Sequence, residues 1–248
     1  MRPIPHSSDT VWMARALSLA RDMRGHVWPN PPVGCMVVKD GVCVAEGATH
    51  PGGRPHAERK ALDVAGRSAA LNATLYVTLE PCCHWGKTPP CADAIIDAGV
   101  ARVVCAVQDP DPRVNGGGFM KLKRAGIEVT IGVCREEAEA VMSGFFHRVR
   151  TGTPELRVTT DIPGVIPDGV DGVLVSTSHG LVIKTRSGGF EHPPQPHDDL
   201  LCWMGELGLT SVAVSKQDRF WQERQPAPGV VALQDWFEMS VSARDTDL

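Results

Sequence analysis

His56-Ala57-Glu58, Pro81-Cys82 and Cys91 are the residues whose types and order could do chemistry. One imidazole and two thiols are ligands that zinc prefers, and a catalytic zinc takes three ligands from protein and keeps a fourth position for water. Two thiolates cancel the formal charge of the ion, yet the metal still acidifies water. Glu58, two residues after His56, can reach that water as a general acid and base while His56 holds the ion. Such a set can add water to an amidine-like carbon and release ammonia. Taken singly the pieces say little, because His-x-Glu is common at the start of surface helices and Pro-Cys is no rarer. Their order gives them meaning. A purely structural zinc site would usually have a fourth protein ligand. Cys83 is the candidate, but its adjacency to Cys82 makes joint ligation awkward, and it reads as a pocket-wall or packing residue.

The elements that must position this set alternate along the first 150 residues. A helix is expected from Asp9 to Arg24, with Asp9 as N-cap, Gly25 as stop and an apolar face of Trp12, Ala16, Leu19, Ala20 and Met23. Trp28-Pro29-Asn30-Pro31-Pro32 cannot continue it. Val33 to Lys39 and Val42 to Gly47 read as strands joined by the hairpin turn Asp40-Gly41. His56 to Ala65 reads as a helix stopped near Gly66, Thr74 to Leu79 as a strand, and Cys91 to Ala98 as a helix closed by Gly99. Arg102 to Val107 is a short apolar strand of the kind buried on both faces. Gly118 to Ala125 is a helix, Ile127 to Val133 a strand nearer an edge, and Arg135 to Val149 a last helix. This order predicts a mixed sheet flanked by helices. Each ligand group then follows a strand and opens a helix, where the N–H dipoles favour thiolate over thiol.

Bulk properties narrow the classes. The chain has 248 residues, 42% apolar and 22% charged, with a net charge of −4. This is the profile of an ordinary soluble protein of one large domain or two small ones. The charge argues against general nucleic-acid binding, no apolar run reaches a membrane span, and Met1 to Thr10 has no apolar core of a signal peptide, so a cytoplasmic location is expected. The eight cysteines do not read as a disulfide scaffold in a chain of this length and core content. Cys35, Cys43 and Cys105 lie in apolar, strand-like runs and read as small buried hydrophobes.

The ligands and the acid are those of zinc-dependent base deaminases, whose two cysteines stand two residues apart. Here eight residues separate Cys82 from Cys91. The segment Pro81-Cys82-Cys83-His84-Trp85-Gly86-Lys87-Thr88-Pro89-Pro90-Cys91 closely resembles the deaminase domain of the bifunctional riboflavin-biosynthesis proteins. Pro29-Asn30-Pro31-Pro32-Val33-Gly34-Cys35, Pro55-His56-Ala57-Glu58, Tyr76-Val77-Thr78-Leu79-Glu80 and Gln108-Asp109-Pro110-Asp111-Pro112 agree with it, so the resemblance spans roughly residues 10 to 150. It implies a cytidine-deaminase-like α/β/α sandwich and a zinc cofactor. It also implies hydrolytic deamination of a diaminopyrimidinone carrying a ribosylamino 5-phosphate. By the same resemblance His56, Cys82 and Cys91 hold the metal, Glu58 is catalytic, and Asn30, His50, His84 and Lys87 contact substrate. Chemistry supports parts of this. Lys87 and His84 could meet phosphate or ribose oxygens from the insert, and the Asn30 amide offers the donor and acceptor that a pyrimidinone edge needs. Many relatives have Asn where Asp111 stands, and an acid there disfavours a phosphate.

After Arg150 the texture changes. Thr151 to Thr153 reads as a linker, Asp161 to Gly172 is dense in Pro, Gly and Asp, and Ser187 to Asp199 reads as a long loop. Gly172 to Ser176, Leu181 to Thr185, a helix near Asp198 to Leu207 and a strand at Ser211 to Val214 are weak elements among them. In the resembling family a reductase domain follows, about twice as long as this stretch. Here its opening substrate-binding motif is replaced by Leu156-Arg157-Val158-Thr159-Thr160-Asp161. Its Glu-Gly-Gly after the late strand is replaced by Ser215-Lys216-Gln217, and no Gly-x-Gly-x-x-Gly opens a helix. Residues 1–150 are therefore expected to be the deaminase domain. Residues 151–248 are expected to be a small degenerate α/β remnant without reductase activity, the reduction falling to a separate protein. The small-molecule substrate, the absence of nucleic-acid and membrane partners and a homo-oligomeric state complete the expectation. Two other readings stay open: a deaminase of another nucleobase or nucleoside, as in tRNA editing or an antimetabolite pathway, and a non-catalytic zinc scaffold, against which the intact Glu58 argues.

Overall fold

The computed structural model describes residues 7–160, 166–177, 180–191, 193, 200–223 and 231–232. The chain divides into two compact units, Met1–Ser143 and Gly144–Leu248.

The first unit runs α1 (Ser7–Asp22), β1 (Gly34–Lys39), β2 (Val42–Ala48), a short 3-10 turn (Pro51–Gly53), α2 (Ala57–Ala70), β3 (Thr74–Leu79), α3 (Cys91–Asp97), β4 (Arg102–Val107), α4 (Gly117–Arg124), β5 (Glu128–Ile131) and α5 (Arg135–Val141). The sheet order is β2-β1-β3-β4-β5. β1 is antiparallel to β2 and β3, while β3, β4 and β5 are parallel. This is the mixed sheet that the element order predicts. Asp40 and Gly41 both adopt positive φ, 52° and 75°, as a two-residue hairpin turn requires.

Two glycines show how the layers are made. A β-carbon on Gly34 would run into the Ala16 carbonyl of α1, and one on Gly47 would lie 2.7 Å from the Ala61 nitrogen of α2. Gly47 pairs with Cys35, the neighbour of Gly34. Side chains alternate between faces along a strand, so α1 and α2 lie on opposite faces of the sheet. With apolar residues buried along β1, β3 and β4, the result is a three-layer α/β/α sandwich.

On the α1 face, Met36 pairs with Tyr76 and Tyr76 with Val104. Asp9 reaches this face from α1. It accepts a hydrogen bond from Tyr76 Oη (2.9 Å) and a two-pronged pair from Arg102 (2.9 Å each). Asp9 is thus not the N-cap that its place in the sequence suggests. It is a buried carboxylate inside the first turn, 1% exposed, and its partners replace the water it loses. The buried stripe of α1 follows it, with Met13, Ala16, Leu17 and Ala20 inside and Trp12, Leu19 and Met23 only half-buried.

Three further expectations change. Helix α2 does not end at Gly66. That residue breaks the helical path (φ 67°, ψ 165°) and the helix resumes to Ala70. The single helix expected over Arg135 to Val149 is two, α5 and α6 (Ser143–Thr151), separated at Met142 (φ −107°). Of the cysteines in apolar runs, Cys35 and Cys105 are fully buried, whereas Cys43 is half-buried.

The second unit is better built than its texture suggests. It holds β6 (Glu155–Thr159), β7 (Gly172–Thr177), β8 (Gly180–Thr185), β9 (Phe190–Glu191), α7 (Leu200–Glu206), β10 (Ser211–Ser215), α8 (Arg219–Glu223) and β11 (Val231–Ala232). These strands form one sheet in the order β11-β6-β10-β7-β8-β9. Buried Asp171 ties β7 to β10 by accepting from the Thr210 and Ser211 N–H groups and the Thr210 hydroxyl. Of the two stretches that read as loop, Asp161 to Gly172 and Ser187 to Asp199, residues 161–165, 192 and 194–199 lie outside the described residues.

The Asp9 latch makes a measurable prediction. Tyr76 is the only tyrosine of the chain, so its ionisation can be followed alone by ultraviolet absorbance. Burial, then the Asp9 hydrogen bond and charge, push its pKa up to about 12, against about 10 in an unfolded chain. The folded state holds this proton more tightly, so the associated stability is complete below pH 10 and is lost as pH rises through about 12. Native protein in a pH jump should titrate near the higher value and denatured protein near the lower. Asp9→Ala should cost about 3 kcal/mol, the lower end for a broken buried pair, read as a lower denaturation midpoint at unchanged slope. Equal titration in both states would contradict the latch.

Candidate active site

Three chain segments end at one place. The turn Pro51–Gly53 leads through the cis Arg54–Pro55 peptide to His56, which sits in extended conformation as the residue before α2. β3 leads through Glu80-Pro81 to Cys82, and the insert 83–90 leads to Cys91, the first residue of α3. The candidate ligand atoms of His56, Cys82 and Cys91 all lie within 4.8 Å of one another. His56 Nδ1 is 3.8 Å from Cys82 Sγ and 3.4 Å from Cys91 Sγ. A tetrahedral zinc at its usual bond lengths holds a sulfur and an imidazole nitrogen about 3.6 Å apart, so the donor set fits that ion in kind and in spacing.

The electrostatics favour one thiolate. Cys82 is pushed down to about 4, mainly by the hydrogen bond from the Cys91 thiol, with further help from His56 and from the Cys91 backbone N–H at the start of α3. That N–H lies 3.3 Å from Cys82 Sγ. Cys91 is pushed up by the same bond and by burial. His56 is raised, first by its bond with Cys82. Glu58, in the first turn of α2, is 4% exposed. Burial, then the Cys82 charge, raise its pKa to about 7, a value suited to both taking and giving a proton at neutral pH.

Cys83 faces away from this group. Its thiol lies 3.7 Å from the Arg113 carbonyl, and a β-carbon on Gly117 would come within 2.8 Å of its sulfur. It packs against the loop that follows β4, as a packing residue would.

The expected contact residues fall in two places. Asn30 lies against the His50 turn, where a β-carbon on Gly53 would run into its side chain, and His50 is exposed with Nδ1 3.0 Å from the Pro51 carbonyl. His84 and Lys87 are on the insert. Lys87 is exposed, whereas His84 is half-buried and its Nδ1 is shielded without a hydrogen-bond partner. A bond from Arg54 Nη1 to Thr88 Oγ1 (2.7 Å) ties the His50 turn to the insert. Asp111 is paired with Arg113, which holds its pKa below the usual carboxylate range and offsets the negative charge that counted against a phosphate nearby. Its neighbour Asp109 is buried, and burial raises it to about 6.

One residue was missed. Glu80 is buried and accepts four backbone N–H bonds, from Asp109 (3.3 Å), Gly116 (2.9 Å), Gly118 (2.9 Å) and Phe119 (3.3 Å). It thereby caps α4 from 36 residues away, where the N-cap residue Gly116 has no side chain. The signal in the sequence is Asn115-Gly116-Gly117-Gly118, a helix start with no side chain to satisfy its first N–H groups.

The family model described as the cytidine and deoxycytidylate deaminase zinc-binding region matches residues 6–107. The chain is 53% identical to the riboflavin biosynthesis protein RibD of Escherichia coli (strain K12) over 150 residues, 60% of this chain and 41% of that protein. It is 44% identical over 146 residues to the diaminohydroxyphosphoribosylamino-pyrimidine deaminase of Buchnera aphidicola (subsp. Schizaphis graminum), covering 59% of this chain and 99% of that protein. The chain belongs to this deaminase family. It spans 41–43% of the length of RibD relatives from Escherichia coli, Haemophilus influenzae and Aquifex aeolicus. Among solved structures, a RibD of Acinetobacter baumannii (form 2) aligns at a TM-score of 0.70 and 28% identity, over 91% of this chain and 90% of that one. The Thermotoga maritima protein described as a deaminase and 5-amino-6-(5-phosphoribosylamino)uracil reductase aligns at 0.70 and 28%, over 84% and 80%. Such coverage reaches beyond the first unit of this chain. Among the described residues no helix is long and apolar enough to cross a membrane.

Two measurements test the site. Cys82→Ser and Cys91→Ser should each lose the one zinc per chain that elemental analysis should find in the purified protein, while Cys83→Ser keeps it. Retention of zinc by Cys82→Ser would remove Cys82 from the ligand set. Separately, Glu80→Gln should speed amide hydrogen exchange over residues 109–119 at least tenfold and cost about 1–3 kcal/mol, as buried donors lose their acceptor. Unchanged protection there would show that Glu80 does not hold the loop.

Proposed function

We propose that the first unit catalyses the hydrolytic deamination of 2,5-diamino-6-(5-phosphoribosylamino)pyrimidin-4(3H)-one to the corresponding 5-aminouracil. The observation that carries this reading is the convergence of His56, Cys82 and Cys91 beside a buried Glu58. Family membership supports it, as does the likeness to proteins named riboflavin biosynthesis protein RibD.

His56, Cys82 and Cys91 would hold zinc, which when bound supplies a Lewis acid that makes water a competent nucleophile at neutral pH. The chain's own groups account for the proton traffic. Glu58 as carboxylate takes a proton from the attacking water. It passes that proton to the ring nitrogen next to the reacting carbon, so the new C–O bond forms without building charge on the ring. It then carries the remaining water proton to the departing amine. The C–N bond breaks and ammonia leaves. Burial that lifts Glu58 to about 7 lets one group serve all these steps. Asn30 is suited to read the pyrimidinone edge, and His50, His84 and Lys87 to hold the ribosyl phosphate, because the Arg54–Thr88 bond joins the two segments that carry them.

The second unit is proposed to be a reductase-like remnant without reductase activity, so that reduction requires a separate protein. Ligands of open α/β sheets bind beyond the carboxyl ends of the strands. Beyond those ends of β7 and β10, Asp218 accepts bonds from Ser176 N (2.8 Å) and Ser176 Oγ (2.6 Å), which sets a carboxylate where cofactor phosphates would need donors.

Purified protein should release ammonia from the phosphoribosyl diaminopyrimidine. Glu58→Gln should lower kcat at least 10³-fold, within the range for loss of a general acid–base group, while keeping its zinc. Turnover of a tRNA or free nucleoside but not of this pyrimidine would reject the substrate. Oxidation of NADPH coupled to the deaminated product would reject the remnant.

A further inference from the structure

Arg54 was assigned no role by motif or spacing, yet it occupies a defined position at the mouth of the site. Its Nη1 donates to Thr88 Oγ1 at 2.7 Å. Its Nη2 lies where it would meet a β-carbon on Gly86 at 3.6 Å. The guanidinium is therefore bonded to the insert just after Lys87 and lies near it just before. Gly86 and Thr88 are drawn together by a bond from Gly86 N to Thr88 O (3.4 Å), which leaves Lys87 at the apex of a tight turn. No carboxylate pairs with either cation among the described residues, in contrast to Arg102, Arg113, Arg135 and Arg157, each of which has one.

A guanidinium fixed through one nitrogen keeps the opposite edge, Nε and Nη2, as a planar fork. That fork matches two oxygens of a phosphate, and a lysine beside it adds a point charge. The Thr88 bond removes much of the side-chain freedom that a surface arginine would lose on binding. Arg54 is two residues from His56, so an anion held there lies within a small ligand's reach of the metal ligands.

We propose that Arg54 and Lys87 form a two-cation clamp for the phosphate of a ribose 5-phosphate group, with Arg54 as a specificity-determining residue. The identity of the anion rests on the function proposed above; the clamp itself rests on the Arg54, Gly86 and Thr88 geometry. The clamp distinguishes phosphorylated from unphosphorylated pyrimidine and takes no part in proton transfer.

The test uses the full chain with zinc and two kinds of ligand. Ribose 5-phosphate and ribose serve as binding probes by calorimetry. The phosphoribosyl diaminopyrimidine and its dephosphorylated ribosyl form serve as substrates. Arg54→Ala should weaken ribose 5-phosphate at least tenfold and raise KM for the phosphorylated substrate by a similar factor, with little effect on the dephosphorylated one. Arg54→Lys, which keeps the charge without the fork, should recover part of the loss, and zinc content should match the parent in both variants. Equal losses with and without phosphate would make Arg54 only a strap on the insert and overturn the clamp. Unchanged affinity for ribose 5-phosphate in Arg54→Ala, or no binding of it by the parent protein, would also overturn it. If neither pyrimidine is turned over while ribose 5-phosphate binding still depends on Arg54, the proposed reaction fails and the clamp stands.

Discussion

A nitrogen and two sulfurs held within 4.8 Å constrain nearly every element of the first unit. They come from three segments separated by 26 and 9 residues, so no single turn can bring them together. The solution is to start two helices, α2 and α3, beside each other on one face of the sheet. Helix α2 can lie close enough because Gly47 has no side chain between β2 and its backbone. Cys82 follows the central strand β3 directly and receives the first N–H of α3. The helix start thus serves the thiolate as well as the chain direction.

Two buried carboxylates hold the frame by the same physics. Removing an acid from water is tolerable only when protein donors replace the water. Asp9 receives a phenol and a guanidinium, and Glu80 receives four backbone N–H groups. Asp9 fixes a helix against two strands. Glu80 fixes the loop after β4 against Pro81-Cys82, where Gly118 leaves room only for a hydrogen beside the Pro81 carbonyl. Asp9 acts on the α1 face, away from the candidate ligands, whereas Glu80 sets the loop that packs beside Pro81-Cys82.

What the sequence made legible was local. The candidate ligand groups, Glu58 and the Asp40-Gly41 hairpin are readable because each is a short motif of a few residues. The strands β3 and β4 are readable because each is a short run of β-branched, aromatic and aliphatic residues, buried almost throughout. Long-range roles were not. Asp9 resembles an N-cap until Arg102 is seen beside it. Glu80 is one more acid until α4 is found to lack its own cap. Strand β6 was overlooked because Glu155 and Arg157 break its apolar pattern. In the fold they are a buried pair at 2.8 Å, so the charges that argue against a core strand neutralise each other inside it. The break between α5 and α6 is marked locally only by Ser143-Gly144, a pair that weakens a helix without forcing it to stop.

The latch between Asp9 and Arg102 closes a span of 93 residues. Helix α1 is made early in synthesis, but its carboxylate has no guanidinium to meet until β4 has emerged and taken its place beside β3. Contacts of such sequence separation form late, because the intervening chain must first be ordered. Until then α1 can be held only by its apolar stripe, Met13, Ala16, Leu17 and Ala20, on the face that meets β1 at Gly34. The interaction that anchors the finished fold is thus among the last that α1 can make, and its place in that order is written in the distance along the chain from one residue to the other.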